Sequence, residues 1–192
     1  MSGGSIIVLA ILAFVGITIF KGVRIVPQGY KWIVQRLGKY HTTLAPGLNF
    51  VIPYVDEVAY KVTTKDIVLD IPSQEVITRD NAVLLMNAVA YINLTTPEKA
   101  VYGIENYTWA IQNLVQTSLR SIVGEMDLDD ALSSRDHIKA KLKAAISDDI
   151  SDWGITLKTV EIQDIKPSHT MQAAMEEQAA AERQRRATVT KA

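Results

Sequence analysis

The spacing of apolar and polar residues divides the chain into stretches of different period. From Met1 to Phe20 no side chain is charged, and Ile6 to Phe20 is an almost unbroken apolar run. A helix over Ser2–Phe20 would be about 28 Å long at about 1.5 Å per residue, close to the hydrocarbon thickness of a bilayer. A cleaved signal peptide would carry a basic start and a small-x-small site, and neither is present. A buried soluble core helix of fifteen residues is the competing reading, though it would be apolar all round with nothing polar to show solvent. The expected element is therefore an uncleaved transmembrane anchor over residues 1–22, with Ile6, Leu9, Leu12, Phe14, Ile19 and Phe20 in lipid. Lys21, Arg24, Lys31, Arg36 and Lys39 all follow before the first acid, Asp56. Basic flanks stay cytoplasmic, so a single-pass membrane protein with a cytoplasmic domain and C-terminus is expected.

Residues 23–94 read mostly as strands. Tyr30–Arg36 is aromatic and β-branched, and Gly38 ends it. Ala45-Pro46-Gly47 is a turn in which proline sets φ and glycine supplies a positive φ. Val58–Thr63 and Ile67–Ile71 are short strands, the second stopped at Pro72-Ser73. Gln74–Thr78 and Ala82–Leu94 flank the hairpin loop Arg79-Asp80-Asn81. The second arm is apolar on both faces, as in a central strand.

Near residue 96 the period changes to that of helices, which dominate residues 95–166. Thr96 is a hydroxyl cap before Pro97 at the first helical position. A stripe of Ala110, Ile111, Leu114, Val115, Leu119, Ile122 and Val123 predicts a helix ending near Gly124. Asp127–Leu132 reads as a short helical turn with Asp127 as its cap. Ser133 or Ser134 caps a helix carrying Ile138, Leu142, Ala145, Ile146 and Ile150, stopped by Gly154. Ile155–Ile165 returns to strand, with its alternation broken between Leu157 and Val160 as at a bulge. This order describes an α+β domain with helices packed on one side of a mainly antiparallel sheet.

Pro167-Ser168 opens a last helix of different composition, residues 167–192. Ala173, Ala180 and Ala187 recur every seven residues, and Glu182 precedes Arg186 by the spacing of a surface ion pair. Two readings stand side by side: a seam against a neighbouring helix, or a solvated single helix favoured by alanine propensity. The pattern is still running at Ala192, as at the start of a longer coiled coil.

Composition removes several functions. Among 192 residues, 20 are basic and 21 acidic, giving a net charge of −1, which argues against a general nucleic-acid binder. There are no cysteines, so disulfides and thiolate sites are excluded. His41, His137 and His169 lack metal-ligand spacing, and no phosphate loop or nucleophile elbow is present. Asp127, Asp129 and Asp130 read as a charged helix start rather than a metal site. No enzyme and no cofactor are expected. The sequons at Asn93 and Asn106 would matter only in a secretory lumen.

Several segments together resemble one family. They are Val26-Pro-Gln-Gly-Tyr30, Leu44–Asp56, Ile71–Asn81, Leu119–Gly124, Trp153–Ile155 with Val160–Ile162, and Ala181–Ala187. Their order from Val23 to Ala192 resembles the stomatin–prohibitin–flotillin–HflK/C (SPFH, or band 7) family, nearest the bacterial paraslipin/QmcA-type stomatin-like branch. The resemblance implies a membrane segment, a two-part SPFH domain and an Ala/Glu/Arg-rich coil. It implies a homo-oligomeric ring or cage that organises a membrane microdomain and modulates membrane proteins such as proteases or channels. Its implied partners are further copies of itself, membrane lipids, and an NfeD-type membrane protein.

Within Pro46–Pro53, Leu48, Phe50, Val51 and Ile52 carry no charge. That segment is either a second membrane contact in the headgroup region or a buried core strand. The competing function is a small membrane-tethered adaptor that recruits a soluble partner through residues 107–150. A hydrolase assembled from scattered loops is a third class.

Overall fold

The computed structural model describes residues 3–190, the side chains of residues 3, 5, 6 and 187–190 excepted. The element order is α1 (Gly3–Gly22), β1 (Val23–Val26), β2 (Tyr30–Arg36), β3 (Lys39–Leu44), β4 (Gly47–Phe50), β5 (Asp56–Thr63), β6 (Ile67–Ile77), β7 (Val83–Leu94), α2 (Pro97–Gly103), α3 (Tyr107–Gly124), α4 (Leu128–Ser133), α5 (Arg135–Asp152), β8 (Ile155–Pro167) and α6 (His169–Thr190). Two compact units form. Residues 1–66, 93–105 and 153–155 make the first; residues 67–92, 106–152 and 156–192 make the second. The second unit thus holds β6 and most of β7 together with α3, α4, α5 and α6.

In the first unit β2 is the middle strand of an antiparallel sheet, β3-β2-β5, and β1 pairs with β4 as a two-stranded ribbon. The β2–β3 turn is two residues, Leu37 and Gly38, both at positive φ, the backbone that matches strand twist in tight hairpins. Val26, Val34, Leu44 and Val51 form a buried cluster, packed by Trp32 and Val58. One residue is thus supplied by each of β1, β2 and β3, and Val51 by the segment just after β4. Gly154 sits at φ +71, and its carbonyl accepts from the amides of Thr95 and Thr96. Thr96 makes no side-chain cap on α2, contrary to expectation, while its backbone amide donates to the Gly154 carbonyl.

α1 is helical over 20 residues. Among the described residues, no helix is long and apolar enough to cross a membrane. The expected transmembrane anchor over residues 1–22 is therefore not supported by the described residues; the side chains of residues 1–3, 5 and 6 lie outside them.

In the second unit the sheet order is β6-β7-β8, with β7 central as its two-sided apolar pattern predicts. β7 is antiparallel to β6. The Ser168 amide meets the Val83 carbonyl, and the Asp164 amide meets Asn87 Oδ1, so β8 also runs against β7. Pro72 does not end β6. The strand continues to Ile77, and its register slips between Ile71 and Gln74. β6 is an edge strand, and a bulge there accommodates a residue with no amide hydrogen.

α3 buries Ile111, Val115, Leu119, Ile122 and Val123, most of the predicted stripe. α5 buries Ile138, Leu142, Ile146 and Ile150, while Ala145 is exposed. Asn106 caps α3 by accepting from the Trp109 amide, so this sequon residue has a local structural role. Asp127 makes no cap on α4. Its carboxylate takes both arms of the Arg79 guanidinium, and Asp80 accepts from the Leu128 amide in its place. The β6–β7 hairpin loop thereby caps a helix far along the chain. Ser168 Oγ accepts from the Met171 amide and starts α6.

Candidate functional site

The site grows from the junction of α1 with the β1–β4 ribbon. The Gly22 carbonyl accepts from the Val51 amide at 2.8 Å, so the last residue of α1 is bonded to the segment following β4. A Cβ on Gly22 would lie 2.7 Å from the Phe50 ring and 2.7 Å from the Val51 carbonyl oxygen. Only glycine allows this approach. β1 follows without a linker.

Strand alternation then sorts the ribbon's side chains. Val23 faces Phe50 and Ile25 faces Leu48, so these four share one face. That face is open: Ile25 is 70%, Leu48 77% and Phe50 60% exposed, with Val23 at 39%. The opposite face carries Val26 into the core. Phe20 at the end of α1 is 86% exposed, and Ile52 and Tyr54 beyond β4 are also exposed. An apolar surface therefore continues from the helix onto the ribbon.

Cations border it. Lys21 Nζ lies 5.9 Å from the Tyr54 ring centre, and Lys61 Nζ lies 4.6 Å over the Trp32 ring. Arg24 lines the groove between Phe20, Ile25 and Trp32.

One ion pair shapes the loop that carries Ile52 and Tyr54. Arg36 donates to both Asp56 carboxylate oxygens, at 2.6 and 3.0 Å, and the Ile52 amide donates to Asp56 at 2.9 Å. The Arg36 hydrogen bond, aided by the Ile52 amide, holds the Asp56 carboxyl at about 2, below its ordinary 3.8. Because the folded value is the lower one, this pair stabilises the protein above about pH 4. The contribution fades as pH falls through that value toward 2. Denaturation midpoints measured from pH 6 downward are expected to drop more in the native protein than in Asp56→Asn. Equal slopes would show that the carboxylate is not the group responsible.

The predicted anchor residues Leu9, Leu12, Phe14, Ile19 and Phe20 are exposed on α1; the Ile6 side chain lies outside the described residues. Of the second set, Leu48, Phe50 and Ile52 are exposed, whereas Val51 is buried at 4% and belongs to the core. The segment is both a strand and an open apolar face, because alternate residues point opposite ways. Ala173, Ala180, Glu182 and Arg186 lie exposed on α6, with Arg186 Nη2 3.0 Å from Glu182. The side chain of Ala187 is outside the described residues. Val23, Ile25 and Tyr54 complete the site without having been singled out from sequence. The alternation Val23-Arg24-Ile25-Val26 was the available signal for the first two. Among the described residues, no His, Asp or Glu cluster could hold a metal ion.

This chain belongs to the SPFH domain / Band 7 family, whose match covers residues 24–192 and begins just after α1. An uncharacterized protein of Methanocaldococcus jannaschii is 40% identical over 186 residues, covering 97% of this chain and 92% of that protein. An uncharacterized protein of Mycobacterium tuberculosis is 36% identical over 186 residues, 97% of this chain and 49% of that one. Human stomatin-like protein 2, mitochondrial, is 38% identical over 164 residues, 85% of this chain and 46% of its own length. The chain thus spans about half the length of the mycobacterial and human relatives.

Proposed function

We propose that this chain is the membrane-anchored part of a homo-oligomeric scaffold that organises a membrane microdomain and modulates membrane proteins such as proteases or channels. The observation that carries the reading is the continuous apolar surface from α1 onto the ribbon face of Val23, Ile25, Leu48 and Phe50, bordered by Lys21 and Arg24. An exposed apolar stretch of this extent, rimmed by basic residues, has the character of a lipid-contact surface. The 20-residue α1 is about 30 Å long at about 1.5 Å per residue, a length that supports the anchor reading. The basic residues that follow support a cytoplasmic position for the domain. Membership of the SPFH family supports the scaffold role.

Weak lateral contacts add up when many copies enter one bilayer, because tethering raises their effective concentration. The α6 seam of Ala173, Ala180 and Ala187 is the proposed contact between copies, with an NfeD-type membrane protein or a membrane protease as further partners. No catalysis is assigned.

Extraction in mild detergent followed by sizing tests the scaffold: a large uniform particle is expected, and a monomer would end the proposal. Phe50→Asp with Ile52→Asp tests the ribbon. Both side chains are exposed, so the variant is expected to fold normally and to leave its ribbon less protected from a water-soluble quencher. Unfolding would instead assign them to the core. The adaptor reading through residues 107–150 draws on Trp109, which is 64% exposed on α3; a small particle in detergent would favour it.

A further inference from the structure

At the foot of α1 lies a cavity of about 390 Å³ lined by Phe20, Lys21, Arg24, Pro53, Tyr54 and Asp56, among others. That volume lies within the roughly 300–1,000 Å³ of clefts that take small ligands. Its charges do not cancel. The Asp56 side chain is only 3% exposed and is engaged by Arg36 and by the Ile52 amide. Among the described residues, neither Lys21 nor Arg24 has a carboxylate within ion-pair distance. Two cations therefore share a small half-apolar cavity whose one acid is already neutralised from the other side.

Tyr54 adds a second mark. Its φ is +72, a backbone region that is strained for a non-glycine residue. The Ile52–Asp56 hydrogen bonds hold the loop in that shape. The ring is consequently thrust outward, 72% exposed, with Lys21 beside it. An aromatic body with a hydroxyl tip is suited to the depth where acyl chains give way to headgroups.

We propose that this cavity binds the phosphodiester of an anionic phospholipid headgroup, with Lys21 and Arg24 on the phosphate oxygens and Tyr54 at its border. The inference rests on the membrane-anchor reading, because α1 sets the cavity at headgroup depth. Arg24 supplies a planar fork that matches phosphate oxygens, and Lys21 supplies a mobile point charge. Phe20 and Pro53 meet the first carbons of the lipid. A soluble phosphate would use the cations but leave the apolar wall wet, which favours the lipid as occupant.

The test uses the full chain reconstituted in vesicles of phosphatidylcholine with a minor share of phosphatidylglycerol. Carbonate resistance is read first, and then the phospholipid retained after mild detergent extraction. The native protein is expected to retain phosphatidylglycerol in excess of its share. Lys21→Gln with Arg24→Gln is expected to stay carbonate-resistant and to lower that preference about tenfold. Lys31→Gln with Lys39→Gln removes equal charge outside the cavity and is expected to leave it unchanged. Equal loss in both pairs, or no preference in the native protein, overturns the site while leaving the anchor intact. Displacement of the lipid by millimolar inorganic phosphate reassigns the cavity to a free anion. Loss of carbonate resistance in the native protein removes the anchor reading, and this proposal with it.

Discussion

Leu9→Asp combined with Leu12→Asp is expected to release the protein from membranes. Both side chains are more than half exposed on α1, so no core packing is lost and helix content measured by circular dichroism should hold. Each aspartate near the centre of a spanning helix costs about 2.5–3.5 kcal/mol. Together they shift partitioning by roughly four orders of magnitude, at about 1.4 kcal/mol per tenfold. Vesicle flotation after a carbonate wash reads the result, with Leu9→Ala and Leu12→Ala as the control that keeps the helix apolar. A double aspartate variant that still floats and resists carbonate would show that α1 is not the anchor.

Gly154→Ala carries the largest expected loss of stability. Glycine stands there at φ +71, and a Cβ would lie 2.5 Å from the Thr96 carbonyl oxygen, 2.8 Å from Thr96 Cβ and 2.9 Å from Lys99 Cβ. The backbone penalty is about 1–2 kcal/mol, and forced overlap in a packed site adds about 1–3 kcal/mol more. Two of the three clashing atoms belong to Thr96, whose amide bonds to Gly154, so relief would break the contact that starts α2. Gly38→Ala isolates the backbone component, since Gly38 has φ +81 but nothing within 4 Å of its added Cβ. Urea midpoints should therefore fall much further for Gly154→Ala than for Gly38→Ala. Equal losses would mean that the packing around Gly154 contributes nothing.

Periodicity located most of this fold because it reports burial directly. The Ile111-to-Val123 stripe and the Ile138-to-Ile150 stripe are buried, and the two-sided apolar arm 82–94 is the central strand. Features set by long-range partners were not legible. Pro72 read as a strand stop because its missing amide hydrogen is a local fact, whereas its edge position depends on the strand order. Asp127 has cap chemistry, yet Arg79 claims its carboxylate from far along the chain, and Thr96 has it without capping α2. Asn106 stands in a sequon, and its side chain caps α3. The ribbon was half legible. An uncharged run at 48–52 is visible in the sequence, but strand alternation decides that Val51 turns inward while Leu48 and Phe50 stay outside. The pairing of β1 with β4 leaves no local trace, so Ile25 could not be joined to Leu48 beforehand.

The bond from the Val51 amide to the Gly22 carbonyl has a mechanical meaning. With that carbonyl claimed and the Phe50 ring seated over Gly22, the helix and ribbon share no slack at which one could pivot against the other. A change in the inclination of α1 has to turn the ribbon with it. Gly22 thus joins the two as a lever is joined to its handle, and a tilt imposed at one end is delivered as torque at the other.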